Sequence, residues 1–186
     1  MWNKISWLLI GMLAICVSYG GTLCSSETKG AGHMKFDVTS SAFGDGTMIP
    51  KTYTCQGRNI SPPLSWGAVP EQTQSIALIL EDPDAPMGTF VHWVLFNLPA
   101  DTKGLPENVP AGKTLANGAK QGAGTSKKVG YMGPCPPSGT HRYFFKVYAL
   151  DSKLGLESGS SKERLLKAMH GHILAEGQLM GTYKRH

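Results

Sequence analysis

Charge is scarce in this chain, and none of it is concentrated. Only 17% of the 186 residues are Asp, Glu, Lys or Arg, and the 18 basic residues are interleaved with 13 acidic ones for a formal charge of +5. No basic block and no aromatic stacking motif accompanies that small excess, which excludes the footprint of a nucleic-acid binder and leaves room for small anionic ligands. Long hydrophobic runs are missing too. The main one, Ile5 to Val17, is shorter than the roughly 20 apolar residues a spanning helix needs. The four cysteines have no spacing that resembles a structural zinc site, and no internal repeat is visible. What is abundant is turn chemistry: 23 Gly and 12 Pro in a chain that is 41% hydrophobic predict one loop-rich, mostly β domain with a tail.

The tail reads as an export signal. Lys4 precedes the apolar run, small and turn residues follow it, and no acid occurs before Glu27. Ser18 and Gly20 are the small residues a peptidase accepts, so residues 1–20 are predicted to be removed, with 21–34 as a polar, Gly-bearing linker and 35–186 as the domain. A retained anchor, with Trp2 and Trp7 at the interface, and lipidation at Cys16 or Cys24 are the rival readings. Export places Cys24, Cys55 and Cys135 in a compartment that permits disulfides. Cys55 and Cys135 lie in turn-rich sequence (TCQGRN and GPCPPSG), so a bridge between them is one pairing the sequence allows.

Ser75–Glu81, Val91–Asn97 and Arg142–Leu150 are apolar, aromatic or β-branched runs bounded by Pro, Gly and Asp, the pattern of strands. Lys35–Ser40 and Lys51–Tyr53 read as shorter ones. Between Leu98 and Met132, repeated Pro and Gly predict a long irregular stretch of the kind that carries function. One helix is predicted over Lys162–Glu176, capped by Ser160 with Glu163, carrying Leu165, Leu166, Met169 and Ile173 on one stripe and stopped by Gly177. Gln178–Lys184 then returns as a last strand. An antiparallel sandwich with a C-terminal helix fits this order.

Polar groups that a β-core does not need gather in three segments: DPDAP at Asp82–Pro86, His92 in VHWV, and GPCPPSGTHRY at Gly133–Tyr143. A strand's period of two puts His141 and Tyr143 on one face, Asp82 on the face of Ile76, Leu78 and Leu80, and His92 with Val94, Phe96 and Leu98. Polar ends of apolar faces meet at the rim of a core, where concave sites form. Three chemistries compete there. His92, His141 and Tyr143 as donors with Asp82 orienting an imidazole make an anion pocket. Two His and one carboxylate make a metal site, without any HxH or HExxH spacing to support it. A His–Asp base makes a nucleophile of Ser138 or Cys135, without a nucleophile-elbow pattern. The bland reading of each is a turn-capping Asp and a hydrogen-bonded core His. His170 and His172, two apart, are read as capping and solvating the helix end.

Four segments, SPPLSW (Ser61–Trp66), DPDAPMGTFVHWVLFNLPAD (Asp82–Asp101), GPCPPSGTHRYFFKVYALD (Gly133–Asp151) and LLKAMHGHILAEGQLMGTYKR (Leu165–Arg185), resemble the phosphatidylethanolamine-binding protein family in its bacterial Raf-kinase-inhibitor-like branch. The resemblance implies a large central and a smaller antiparallel sheet with a C-terminal helix beside a small anion pocket. In that pocket Asp82, His92, His141 and Tyr143 would contact phosphate-like or carboxylate groups. Gly133, Pro134, Pro136 and Pro137, with Ala85 and Pro86, would form the walls. Phe90 stands where eukaryotic members often carry Trp. Gln56, Arg58 and the GAGTSKK stretch replace acidic residues usual in bacterial relatives, which predicts a preference for a more highly charged anion. The resulting expectation is an exported, non-enzymatic binder of a phosphorylated small molecule or phospholipid headgroup, with no cofactor. An inhibitor of a protease or kinase is the alternative, and a cryptic hydrolase the third reading.

Overall fold

An unbroken apolar run suits a strand covered on both sides, and the chain's most apolar segment occupies that position. The computed structural model describes residues 34–185. The predicted signal segment and all of the linker before Met34 lie outside them. The strands are β1 (Met34–Lys35), β2 (Val38–Thr39), β3 (Leu64–Trp66), β4 (Ser75–Asp82), β5 (Phe90–Pro99), β6 (Gly104–Leu105), β7 (Lys120–Gln121), β8 (Thr140–Leu150) and β9 (Ile173–Lys184), with helix α1 (Lys162–Met169) before the last. Six strands form one sheet in the order β1-β9-β8-β4-β5-β7, and β2-β3-β6 form a second. β4 sits inside the large sheet and is buried at all eight positions. Ile76, Leu78 and Leu80 enter the core shared with Val38, Leu64, Trp66 and Leu105 of the small sheet. Ala77 and Ile79 enter a second core with Leu165 and Met169 of α1.

Four expectations need correction. The large sheet is mixed, because β1 pairs with β9 in parallel, and that pairing takes in Met34, which the sequence assigns to the linker. Lys51–Tyr53 is a single 3-10 turn, since Pro50 opens it and its carbonyl accepts from the Tyr53 N–H at 3.0 Å. The helix ends at Met169, seven residues early, and Ser161 rather than Ser160 caps it, accepting from the Arg164 N–H. Gly171, at φ +81°, turns the chain out, and Ile173 onward pairs with β8 along almost its whole length. Long-range pairing thus outweighs a helical stripe that Ile173 happens to continue.

The fourth correction concerns β5. Its register against β4 slips twice, between Ile76 and Leu78 and between Leu80 and Glu81. Each slip is a β-bulge that reverses which side chains face which side. Asn97, at φ +58°, occupies the first, and its side chain holds Leu154 by two hydrogen bonds of 2.8 Å. His92 occupies the second. Val94 and Phe96 consequently face the helix, while Leu98 faces the small sheet. His92 joins the Trp93 side, against Tyr143, and not the Val94 face that strict alternation predicts.

Candidate functional site

Asp82 ends β4, His141 and Tyr143 begin β8, and the bulge turns His92 toward them. All four side chains are buried, with residue exposures of 3%, 7%, 0% and 4% for Asp82, His141, Tyr143 and His92. The Nδ1–H of His141 donates to Asp82 Oδ2 at 2.7 Å, and Asp82 Oδ1 accepts from the backbone N–H of Asp84 at 2.8 Å. A carboxylate with both oxygens engaged is fixed in direction, and it fixes the imidazole in turn. The second imidazole is held the same way: His92 Nδ1–H donates to the Met132 carbonyl at 2.9 Å. Its ring lies 5.3 Å from Tyr143, edge to face, and 4.8 Å from Phe90. Burial pushes the His92 imidazole down, and the Met132 carbonyl and the Asp82 charge oppose that without cancelling it. Each ring has Nδ1 tied, and the Gly133 backbone also reaches the His92 ring.

Tyr143 differs from the expectation for a ligand donor. Its hydroxyl is sealed from solvent and meets the Asp82 carboxylate and the Cys135 backbone only outside good hydrogen-bond geometry. Burial first, and then the charge of Asp82, hold its pKa far above the ordinary phenol value. A buried orphan hydroxyl beside a carboxylate is costly unless something small reaches it.

The Gly133–Pro137 loop is clamped from both sides. Met132 N–H donates to the His92 carbonyl at 3.1 Å, Gly133 N–H to Asn59 Oδ1 at 2.7 Å, and Cys55 N–H to the Pro134 carbonyl at 3.1 Å. Tyr131 donates its hydroxyl to the Tyr53 carbonyl at 2.6 Å. Gly133 has no room for a side chain, since a Cβ would stand 2.4 Å from that same Tyr53 oxygen. Cys55 and Cys135 are joined, their Cα atoms 5.4 Å apart, so Cys135 is not a free nucleophile. Pro134 and Pro136 are buried and Pro137 exposed. Met132 and Asn59, which hold the site together, carried no signal in the sequence: one acts through a carbonyl, and the other is an ordinary turn Asn.

The β4–β5 turn closes with Gly88 N–H donating to the Ala85 carbonyl. Ala85 is half-buried, Pro86 exposed, and Met87 stands wholly free at the tip. Asp84 serves the buried cluster through its backbone N–H alone, and its carboxylate points away. It receives the Arg142 backbone and guanidinium at 2.7–2.9 Å, which hold its carboxyl down at about 2. Of the basic groups expected to raise the potential at the rim, two act on acids of their own. Arg58 pairs with Glu107 at 3.6 Å, and Lys127 acts on Glu163 at the start of the helix. No group of three or more His, Cys, Asp or Glu among the described residues stands in a metal-binding arrangement.

The profile of the phosphatidylethanolamine-binding protein family matches residues 39–184, which include every residue of this cluster. The chain belongs to that family. Among relatives of this PEBP-family chain, a UPF0098 protein of Methanothermobacter thermautotrophicus is 55% identical over 80% of the chain and 99% of its own length. A UPF0098 protein of Aquifex aeolicus is 46% identical over 89% and 98%. Two solved structures share the fold. A putative phosphatidylethanolamine-binding protein homologue from Chlamydia trachomatis superposes with a TM-score of 0.75 at 46% identity, covering 82% of this chain and 99% of its own. E. coli YbcL, described as a member of the mammalian PEBP family, gives 0.74 at 32% identity over 81% and 99%. The mostly β fold of one large and one small sheet with a helix is thus a PEBP fold.

Proposed function

We propose that this PEBP-family chain is an exported protein that binds a small anion of the kind a phosphate ester or phospholipid headgroup presents, and releases it unchanged. The observation that carries the reading is the pair of buried imidazoles, each held in direction at Nδ1, with the Asp82 carboxylate behind one of them. A protonated imidazole braced by a carboxylate is a strong, directed donor to an anionic oxygen. Two such donors on rigid elements make a preorganised site, with little ordering left to the ligand. His92 and His141 are the donors, Asp82 orients, and Tyr143 packs against His92 with its hydroxyl in reserve behind it. The proline-rich loop and the Ala85–Pro86 turn are the walls. With Cys135 in a disulfide, the thiol branch of the hydrolase reading loses its nucleophile. The disulfide also favours export, because such bonds persist mainly in oxidising compartments.

The test is calorimetric titration of phosphate, phosphoethanolamine and a nucleotide into the wild-type protein and His141→Ala, with the ligand analysed afterwards. Saturable binding that the variant loses, with ligand recovered intact, is the expected result. Turnover abolished by the variant would instead establish a hydrolase. No heat at millimolar ligand would overturn the anion site and leave the inhibitor reading. Export is checked on the same preparation, since protein that retains Met1 and stays with the cytosol removes it.

A further inference from the structure

The large sheet has a second polar surface, on the face that carries α1 and away from the His92–His141 cluster. The strand register arranges it. Lys35 of β1 is the direct partner of Glu176 in β9, and Glu176 is the partner of Tyr148 in β8, so these three side chains form a row across the sheet. Two residues along, about 6.6 Å further, Gln178 stands opposite Lys146, and Asp37 continues the line from β1. These six residues line a hollow of about 430 Å³. That is the lower part of the size range of small-molecule sites.

The charges in this hollow do not pair with one another. Lys35 and Glu176 are opposite in sign and adjacent in register, where such pairs ordinarily meet, yet no ion pair joins them. The side chains of Asp37 and Gln178 and the Tyr148 hydroxyl also make no hydrogen bond among the described residues, although the Asp37 carbonyl accepts from Gly67 N–H at 3.0 Å. Only Lys146 is engaged, on Glu81, whose other oxygen receives Lys162. Burial raises Glu81, but those two hydrogen-bonded cations outweigh it and hold the carboxyl down, so it stays charged and Lys146 stays anchored. Tyr148 is pushed up to about 12 by burial and by the Glu81 and Glu176 charges, which keeps its hydroxyl a donor. The hollow therefore presents acceptors at Glu176 and Asp37 and donors at Lys35, Lys146 and Tyr148, within two rows and with no excess of either sign.

We propose that this hollow is a second ligand site, and that it takes a small zwitterion: a flexible molecule with an ammonium at one end and a carboxylate at the other. The ammonium sits between Glu176 and Asp37, and the carboxylate either on Lys35 of β1 or on Tyr148 and Lys146 of β8, which flank that pair on its two sides. A ligand of one charge would satisfy one set of groups and meet repulsion from the other. The amide of Gln178 serves either end. The site is independent of the anion reading above.

The experiment is a proton–nitrogen correlation NMR titration of the full chain with β-alanine, γ-aminobutyrate and ε-aminocaproate. Butyrate and butylamine serve as single-charge controls. At least one zwitterion should give saturable shifts at Lys35, Tyr148 and Gln178 in the millimolar range expected of a small, partly open site. The same titration should leave Asp82, His92 and His141 unmoved. Glu176→Gln and Lys35→Gln, near-isosteric changes at a half-buried and an exposed position, should each weaken binding about fivefold or more, as loss of one charge-assisted contact implies. Absence of saturable shifts with all three zwitterions overturns the proposal. So do equal shifts with the single-charge controls, or unchanged affinity in both variants.

Discussion

A buried imidazole that is neutral when the site is empty must gain a proton before both of its nitrogens can donate. His92 is in that state, because burial lowers its pKa from the usual 6.5 while Nδ1–H stays committed to Met132. An anion at Nε2 favours the charged ring, so binding and protonation are linked. Sulfate, whose own charge is constant near neutrality, isolates the effect. Its affinity should rise as the pH is lowered from about 8 to about 6, through the ordinary range of a histidine. His92→Gln, which keeps a neutral donor, should flatten that rise, and an equally steep rise in the variant would remove His92 from the site. The same group makes the empty protein less stable in acid. Between the ordinary and the depressed pKa the unfolded chain holds a proton that the folded chain lacks, so stability falls as pH drops through that window. At this scale the sequence was informative: Asp82, His141 and Tyr143 followed from alternation and do converge. The sealed Tyr143 hydroxyl and the carbonyl that ties His92 did not follow, because neither backbone acceptors nor depth is written in residue type.

Strand and loop geometry decides how those residues meet. Counting by twos along β5 puts His92 with Val94 and Phe96, and it fails because a bulge is a property of two strands, two residues facing one, and not of either sequence alone. Without the second slip in register His92 would share the helix-side face and the cluster would not exist. The helix end was misjudged for a related reason, since Ile173 continues a helical stripe as well as it begins a strand, and only the β8 partner separates the two. The loop wall is a sharper case. Gly133 is needed because the loop rests directly on the 51–59 turn, where a Cβ would lie 2.4 Å from the Tyr53 oxygen and 2.9 Å from Thr54 Cα. The Asn59 side chain, 2.6 Å away, could swing aside, but the two backbone atoms cannot. Gly133→Ala should therefore cost about 1–3 kcal/mol in urea unfolding, as overpacking does elsewhere. Gly139 lies in the same segment at φ +68° with open space around it, so Gly139→Ala should cost only the left-handed strain, about 1 kcal/mol. Equal losses at the two positions would mean that the loop does not depend on that close approach.

Across the whole molecule, the long central strands were legible because each is an apolar run between turn residues. The parallel β1–β9 contact was not, because two residues contain no period and their partner lies some 140 positions away. The Cys55–Cys135 bridge belongs to the same scale. It joins segments 80 residues apart, and between its ends the chain makes β3, β4, β5 and the whole irregular stretch up to the loop wall. In the folded state the bridge is redundant: Cys55 and Pro134, Asn59 and Gly133, and Tyr53 and Tyr131 are already hydrogen-bonded around it. Its main effect is on the unfolded chain, where closing a loop of this length is worth about 4 kcal/mol in the entropic account. The double variant Cys55→Ser, Cys135→Ser should thus keep the native spectrum and the sulfate affinity while losing about 2–5 kcal/mol of unfolding free energy. Its urea dependence should steepen, since the unlinked chain exposes more surface on unfolding. A variant that keeps its stability but loses sulfate binding would reverse the assignment, making the bridge part of the wall and not a brace on the chain.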